Sequence, residues 1–371
     1  PLAILVLAAG KGTRIATHDD APPKVLVECL GAPLLGHVQR AVAPLAAERT
    51  VVVTGHQAER VDAWLEAAWP GAVPVLQQPQ NGTGHAVRIA LDTIPDFEGD
   101  VLVLYGDVPQ MRADDLSLLL GRHRETRAKA SLLTGVVDEP GMLGRVVRDG
   151  VGRFEAIVEA KDAANRPDVM AVKEFNSGLY VFDAAALREA IVDLPTNNAQ
   201  GEEYATDAVG RIASSAHVEA VISAHPNSLL GVNDFADLAN ATALIRRRIV
   251  GEHLANGVRV VDPDTTIIEV DVEIARGAEI LPFSYIQAGC TVGPRAVVGP
   301  FARIRNEAVL HAKAEIGNFV EVKKSTIGEG AKAKHLTYIG DAVVGPKANI
   351  GCGTVTANYD GVRKHQTIIG A

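Results

Sequence analysis

From Ile268 to Val322 an aliphatic residue recurs at every sixth position: Ile268, Ile274, Ile280, Ile286, Val292, Val298, Ile304, Leu310, Ile316 and Val322. A helix repeats at 3.6 residues and a flat strand at 2, so neither produces a strict six. A coil of short parallel strands does. Each flat side uses six residues and turns the same position inward, and stacked coils bury those positions against one another. Small or compact residues follow most anchors by four positions, from Val272, Ala278 and Ser284 through Cys290 to Thr326. The register slips after Val322. Ile327, Ile339, Val344 and Ile350 continue the repeat, with five-residue steps at 322–327 and 339–344. Residues 357–364 (ANYDGVRK) then interrupt it before Ile368 and are expected to leave the coil as a loop, where solenoids often carry function.

Everything before residue 250 has a different pattern. With 371 residues, two domains are expected. The division reads as 1–232, a linking helix over 233–257, and a β-helix over 258–371 that ends in mid-repeat. In the first part, apolar runs at 2–9, 50–54, 73–77 and 101–105 read as buried strands. They alternate with helical patterns at 34–46, 57–69 and 85–94, which predicts an α/β, doubly wound, mostly parallel sheet. Its functional loops belong at the carboxyl ends of the strands. From 130 to 232 the pattern is mixed, with short strands at 130–136, 178–182 and 217–222. Residues 234–255 read as one long helix with an apolar stripe of Phe235, Leu238, Ala239, Ala243, Ile245 and Ile249.

A net charge of −9 argues against general nucleic-acid binding. No run is apolar for long enough to span a bilayer, so no membrane insertion is expected. The first residues lack a basic leader and do not read as a signal peptide. Cys29, Cys290 and Cys352 lie far apart without a CxxC pair, which fits a reduced, cytoplasmic protein. The chain starts at Pro1 and stops at Ala371, and both ends read as trimmed.

Two stretches carry chemistry. LAAGKGTR (7–14), followed by PKVL (23–26), is neither a P-loop nor a dinucleotide fingerprint. A glycine-rich turn after a buried strand still brings main-chain N–H groups close to phosphates, and Arg14 and Lys24 add cations there. Asp107, at the end of the strand 101–105, puts a carboxylate on the same rim; a hard divalent cation takes one or two carboxylates plus substrate phosphate oxygens. In the repeat region His335 stands among basic residues. Arg305 and Lys323 are eighteen apart, one full coil, and should stack on one face. With Lys324, Lys364, Asn349, Asn358 and Tyr359 they point to an anion pocket.

The full pattern resembles the sugar-1-phosphate nucleotidyltransferases, and within them the bacterial bifunctional N-acetylglucosamine-1-phosphate uridyltransferases/glucosamine-1-phosphate N-acetyltransferases. The resemblance covers almost the whole chain. It is carried by LAAGKGTR, PKVL, QNGTGHA (80–86), LYGDVP (104–109), IVEAKD (157–162), FNSGLYVF (175–182), NNAQGEEYATD (197–207) and GVND (231–234). In the repeats it is carried by KKSTIGEGAKAKHLTYIGDA (323–342) and NIGCGTVTANYDG (349–361). It implies that Ala8, Ala9 and Gly10 face the nucleotide, that Gln77, Gly82 and Thr83 contact uracil, and that Arg14 and Lys24 meet the phosphates. It implies Mg2+ on Asp107 and Asn233, and a sugar held by Tyr105, Gly144, Glu159 and Asn176. In the second half it implies His335 as general base for acetyl transfer from acetyl-CoA, with Arg305, Lys323 and Lys364 on the sugar phosphate. Tyr338, Asn349, Asn358 and Tyr359 would orient the sugar. The product of the two steps, with UTP as the second co-substrate, is UDP-N-acetylglucosamine.

The family's β-helix is left-handed and trimeric, with an acetyltransferase site shared between subunits, so a homotrimer is implied. Three departures stand out. The loop IATHDDAPP (15–23) is longer and more acidic than the usual pattern. The run before Arg305 is shorter by roughly two coils, at about eighteen residues per coil. The chain also stops before the coils and tail that help bind acetyl-CoA. Two alternatives stay open: a single-activity nucleotidyltransferase whose β-helix only trimerises, and a non-catalytic nucleotide-sensing subunit. Retention of His335, Asn358 and Tyr359 counts against the first. Arg14, Lys24, Asp107 and Asn233 count against the second.

Overall fold

The computed structural model describes residues 1–371 apart from Ala16, Asp19 and Ala164. Two of these belong to the acidic loop 15–23, whose altered length therefore lies partly outside the described residues. The chain divides into two compact units, one of residues 1–27 and 33–241, the other of 28–32 and 242–371.

In the first unit the sheet order is 218–222, 130–136, 174–183, 100–105, 2–7, 49–54 and 72–76, with a side ribbon of 145–148 and 154–158. Leu2–Leu7 is central and pairs in parallel with Arg49–Thr54 and Asp100–Tyr105. Glu174–Asp183 is the antiparallel member between Asp100–Tyr105 and Ala130–Val136. Successive side chains of a strand point to opposite faces. Accordingly Ala3, Leu5 and Leu7 enter one apolar layer, while Leu2, Ile4 and Val6 enter the other. A strand buried on both faces must be apolar throughout, which is why LAILVL reads as an unbroken run. The parallel strands Leu2–Leu7, Arg49–Thr54 and Asp100–Tyr105 all end at one edge, where Ala8, Gly55 and Gly106 begin the loops.

The mixed stretch holds more regular structure than its pattern suggests. Helices Ala184–Ala190 and Ala205–Ala213 lie within it, and Ala113–Thr126 precedes it. The long helix runs Phe235–Ala255. Its buried positions are Ala241, Ile245 and Val250, while Phe235 and Ala239 are exposed. The apolar stripe expected from the sequence is thus rotated: Ile245 is common to both, and Ile249 packs partly buried against the β-helix core.

The second unit is a parallel β-helix. Ile267 pairs with Tyr285, Tyr285 with Arg303 and Arg303 with Glu321, eighteen residues per coil. From Ile280 to Val322 every sixth-position anchor is buried. Beyond the slip the coil shortens to seventeen: Val309 pairs with Thr326 and Glu321 with Tyr338. One expectation fails here. Thr326 is only half-buried, and Ser325 takes the inward position, because the five-residue step moves that position back by one. Ser325 meets its polar needs there by donating to Lys323 O at 2.8 Å and accepting from Ala342 N at 2.9 Å. Val343 pairs with Ile368 rather than with a residue seventeen on, so the chain between them carries the expected loop. Phe283, Phe301 and Phe319 occupy one corner of three successive coils and stack at 4.8 and 5.4 Å between ring centroids.

Candidate active sites

At the strand edge of the first unit lies a cavity of about 950 Å3. Ala8, Ala9 and Gly10 line it after the first strand, Gln77, Gly82 and Thr83 after the strand Ala72–Leu76, Tyr105 at the end of Asp100–Tyr105 and Asp107 just beyond it. Lys24 completes the wall and donates to Asp107 Oδ2. Gly12 makes that possible. Its φ is +60°, and a Cβ there would stand 2.5 Å from Lys24 Cβ, so a side chain would push the lysine stem aside. Among the described residues Arg14 is exposed on the following turn and is not part of the wall.

A second group of expected residues adjoins Tyr105. Asn176 N donates to Gly144 O at 2.9 Å, and a Cβ on Gly144 would lie 3.3 Å from Glu159 Oε2. Thr206 donates to Glu159 Oε1 at 3.3 Å. Burial pushes the Glu159 carboxyl above the usual range, with help from Asp162 and Asp207 and against the Thr206 hydrogen bond. The Tyr105 phenol is pushed far up, first by burial and then by the charges of Glu159 and Asp107, so it remains a proton donor. Asn176 Nδ2 donates to Tyr180 Oη at 2.6 Å. Asn233 follows Val232, whose N–H donates to Asp107 O at 2.8 Å. Its own N–H is held by Asp237 Oδ2 at 2.9 Å. Asn233 is therefore a close neighbour of Asp107 through the main chain.

Four wall residues with polar side chains were not anticipated: Lys11, Gln78, Gln80 and Glu202. Gln80 lies inside the motif QNGTGHA and could have been found there; its Nε2 donates to Ala9 O at 2.6 Å. Glu202 arrives by tertiary contact, on a loop that Glu203 clasps to Asn81 and Gly84. Among the described residues no group of three or more His, Cys, Asp or Glu side chains is disposed to hold a metal. The donor set of Asp107 and Asn233, one carboxylate and one amide oxygen, is nevertheless of the hard type that Mg2+ takes when phosphates supply the remaining oxygens.

In the β-helix, Arg305, Lys323 and Gly340 occupy one register position on three coils, so the two cations do stack. Arg305 Nη1 donates to Glu321 Oε1 at 2.7 Å. Lys323 Nζ is 3.9 Å from Asp341 Oδ2, which also accepts from Asn358 Nδ2. Tyr338 pairs with Glu321 on the same face and bridges to Val355. His335 is exposed beyond the corner at Leu336, and its Nδ1 lies 3.0 Å from Asn318 Oδ1 on the coil before. An amide oxygen only accepts, so the proton sits on Nδ1 and the Nε2 lone pair is left toward solvent. Asn349 is on the next coil, in register with Lys332. Tyr359 and Lys364 bridge each other across a hairpin. Asp360 closes it, accepting from Val362 N, Arg363 N and His365 Nε2 at 2.8, 2.6 and 2.6 Å. The Arg363 amide and then His365 hold the Asp360 carboxyl down at about 2.

Among the described residues no helix is long and apolar enough to cross a membrane. Residues 4–172 match the MobA-like NTP transferase domain, and residues 271–306 match the bacterial transferase hexapeptide (six repeats). The chain is 40% identical to the bifunctional protein GlmU of Synechococcus sp. (strain RCC307) over 402 residues, which takes in all of this chain and 87% of that protein. The corresponding protein of Thermobifida fusca (strain YX) is 40% identical over 408 residues, covering 100% of this chain and 83% of the relative. That of Trichlorobacter lovleyi is 41% identical over 403 residues, covering 99% and 86%. Each alignment is longer than the 371 residues of the chain, so these relatives carry internal residues that it lacks. A nucleotidyltransferase unit and a hexapeptide unit in one chain, at this identity across both, mean that the chain belongs to the family of bifunctional GlmU proteins.

Proposed function

We propose that the chain makes UDP-N-acetylglucosamine in two steps, each on its own unit. In the β-helix, acetyl-CoA acetylates glucosamine-1-phosphate, and the proton taken from the amine ends on the departing sulfur. In the first unit, UTP and N-acetylglucosamine-1-phosphate give UDP-N-acetylglucosamine and pyrophosphate. The observation that carries this reading is a single cavity wall holding the loop Gln77–Thr83 together with the Lys24–Asp107 pair.

Nucleotidyl transfer needs positioning and charge neutralisation more than a covalent catalyst. The sugar-phosphate oxygen attacks the α-phosphorus of UTP in line, and pyrophosphate leaves. Ala8, Ala9 and Gly10 approach the nucleotide through the main chain, and Lys24 and Arg14 take the phosphate charge. Gln77, Gly82 and Thr83 read the uracil; Tyr105, Gly144, Glu159 and Asn176 hold the sugar. Asp107 and Asn233 would hold Mg2+, which when bound supplies further neutralisation of phosphate oxygens.

For acetyl transfer, His335 Nε2 takes a proton from the amine of glucosamine-1-phosphate as the nitrogen attacks the thioester carbonyl; the C–S bond then breaks and the imidazolium returns that proton to the sulfur, so coenzyme A leaves as the thiol. Arg305, Lys323 and Lys364 hold the phosphate; Tyr338, Asn349, Asn358 and Tyr359 orient the sugar. We place this enzyme in the cytoplasm, as a homotrimer assembled through the β-helix. The test is direct. The chain is given UTP with N-acetylglucosamine-1-phosphate and followed for pyrophosphate, then acetyl-CoA with glucosamine-1-phosphate and followed for free thiol. Both products are expected. Thiol without pyrophosphate overturns the reading of the first cavity, and pyrophosphate without thiol reduces the β-helix to assembly.

A further inference from the structure

Gln77 is 5% exposed and follows the strand Ala72–Leu76. Its main-chain N–H donates to Thr54 O at 2.8 Å, which fixes where the side chain starts. Its Nε2 donates to Gly82 O at 2.9 Å and lies 3.3 Å from Nδ1 of His85. Gly82 O is a carbonyl and can only accept, so the amide must turn its nitrogen that way. An amide nitrogen carries two hydrogens. One goes to Gly82 O, and the other faces His85. Nδ1 can receive it only as a lone pair, with the imidazole proton on Nε2. Both Gln77 donors are then spent inside the wall. Oε1 remains for whatever occupies the cavity that Gln77 lines.

The acceptor that turns Gln77 is itself held. Gly82 O also receives Ala86 N at 3.2 Å, at the start of the helix Thr83–Asp92. Glu203 clasps the loop on both sides of Gly82, donating to Asn81 O at 2.9 Å and accepting from Gly84 N at 2.8 Å. Arg88 grips the Glu203 carboxylate at 2.9 and 3.0 Å. Gly82 has φ +102°, and a Cβ there would stand 2.4 Å from Glu203 O, so the loop has no other place to go.

Resting on the uridyl-transfer reading above, we propose that His85 is a positioning residue that sets base specificity. It holds the second Gln77 donor in the wall and so leaves Oε1 as the one Gln77 group facing the base. Uracil and thymine carry N3–H, a donor that Oε1 accepts. Cytosine carries a lone pair at N3, which Oε1 repels. The terminal torsion of glutamine is broad. Gly82 O alone holds the amide at one point, about which it can swing and offer its second hydrogen to cytosine. With His85 present it is held at two. A buried group built to pair with a donor discriminates strongly against a ligand that lacks one.

The test compares kcat/KM for UTP and CTP, with N-acetylglucosamine-1-phosphate as acceptor, in wild type, His85→Ala and His85→Gln. Wild type should favour UTP. His85→Ala should lower the UTP:CTP ratio about tenfold or more, the worth of one buried hydrogen bond. The change should come from a raised KM for UTP and improved use of CTP. His85→Gln retains an accepting oxygen and should recover part of the ratio. A role in packing alone would lower both nucleotides together and leave the ratio unmoved. That outcome overturns the inference; where His85→Ala does not fold, His85→Leu, which fills the space and offers no acceptor, should show the lowered ratio, and an undiminished ratio there overturns it. Wild type that discriminates poorly between UTP and CTP also overturns it. Wild type that releases no pyrophosphate from either overturns the uridyl-transfer reading, and the inference with it.

Discussion

Lys24 Nζ and Asp107 Oδ2 form an ion pair across 83 residues of sequence, with the two side chains only 13% and 21% exposed. The pair joins the loop after the first strand to the end of the strand Asp100–Tyr105. It keeps the rim of the cavity near neutrality and places a cation and a carboxylate where a nucleotide's phosphates would enter. Removing one member of a partly buried pair strands the other. Lys24→Ala should therefore lower kcat/KM for pyrophosphate release by about 10²–10³-fold, the range for losing one charge-stabilising donor. Asp107→Ala should abolish it. Acetyl transfer, read as free thiol, should survive both changes. Loss of both activities together would mean that the two sites are not carried by separate units.

Gly12 offers a test of the same pair that alters no charge. Gly12→Ala places a methyl group 2.5 Å from Lys24 Cβ, at a φ of +60°. Strain of this kind costs on the order of 1–3 kcal/mol. Because the contact falls on Lys24, uridyl transfer should drop well beyond any fall in melting temperature. A variant with lowered stability and unchanged kcat/KM would show that the lysine stem is free to move.

Glu159 gives a pH signature. Its folded carboxyl is raised above the ordinary value, chiefly by burial, so the folded protein keeps a proton that the unfolded chain has released. Stability is unaffected below the ordinary glutamate value of about 4.3. It falls as pH rises from there to the raised value, and above that the cost of the buried charge is complete. Glu159→Gln should flatten this slope in urea unfolding measured across pH. If the sugar is held by the ionised form, KM for the sugar phosphate should rise in acid in the wild type, through a pKa above the ordinary glutamate value. Glu159→Gln should show a KM about tenfold higher or more, from loss of a hydrogen bond to a charged group, with no such pH dependence.

The β-helix was legible because each coil repeats one geometry, so ten anchors from Ile268 to Val322 report the same inward position. The parallel sheet was legible from Leu2–Leu7 and Asp100–Tyr105, whose runs must be apolar on both faces. What escaped depends on longer-range fit. Thr326 and Ser325 exchanged roles because a five-residue step changes two inward positions, and only the anchor was followed. The helix Ala113–Thr126 buries Leu116, Leu119, Leu120 and His123 at helical spacing, a signal present in the sequence and not drawn from it. The stripe on Phe235–Ala255 was rotated because a helix with mixed residues all round takes its buried face from its partners. In the first cavity the strand-end motifs converge as their positions suggested. Glu202 lies inside the motif NNAQGEEYATD, but the motif alone does not say which wall it joins; that comes from the clasp of Glu203 on Asn81 and Gly84.

His335 and Asn318 supply the last prediction. They are register partners on successive coils, and the amide oxygen at 3.0 Å fixes the proton on Nδ1. A base oriented in this way keeps its Nε2 lone pair toward the substrate, and its tautomer is set by the group behind it. His335→Ala should remove thiol release while leaving pyrophosphate release unchanged. Asn318→Ala keeps the imidazole but frees the ring to rotate and to adopt the other tautomer, so kcat for acetyl transfer should fall by about 10-fold to 10²-fold, less than the roughly 10²–10⁴-fold that a general base supplies. KM for glucosamine-1-phosphate should change little, because Arg305 and Lys323 stand on the other side of the corner at Leu336. Asn318→Asp keeps an accepting oxygen at Nδ1 and should recover part of the lost kcat. A kcat in Asn318→Ala equal to that of wild type would mean that the Nδ1 contact does not set the base.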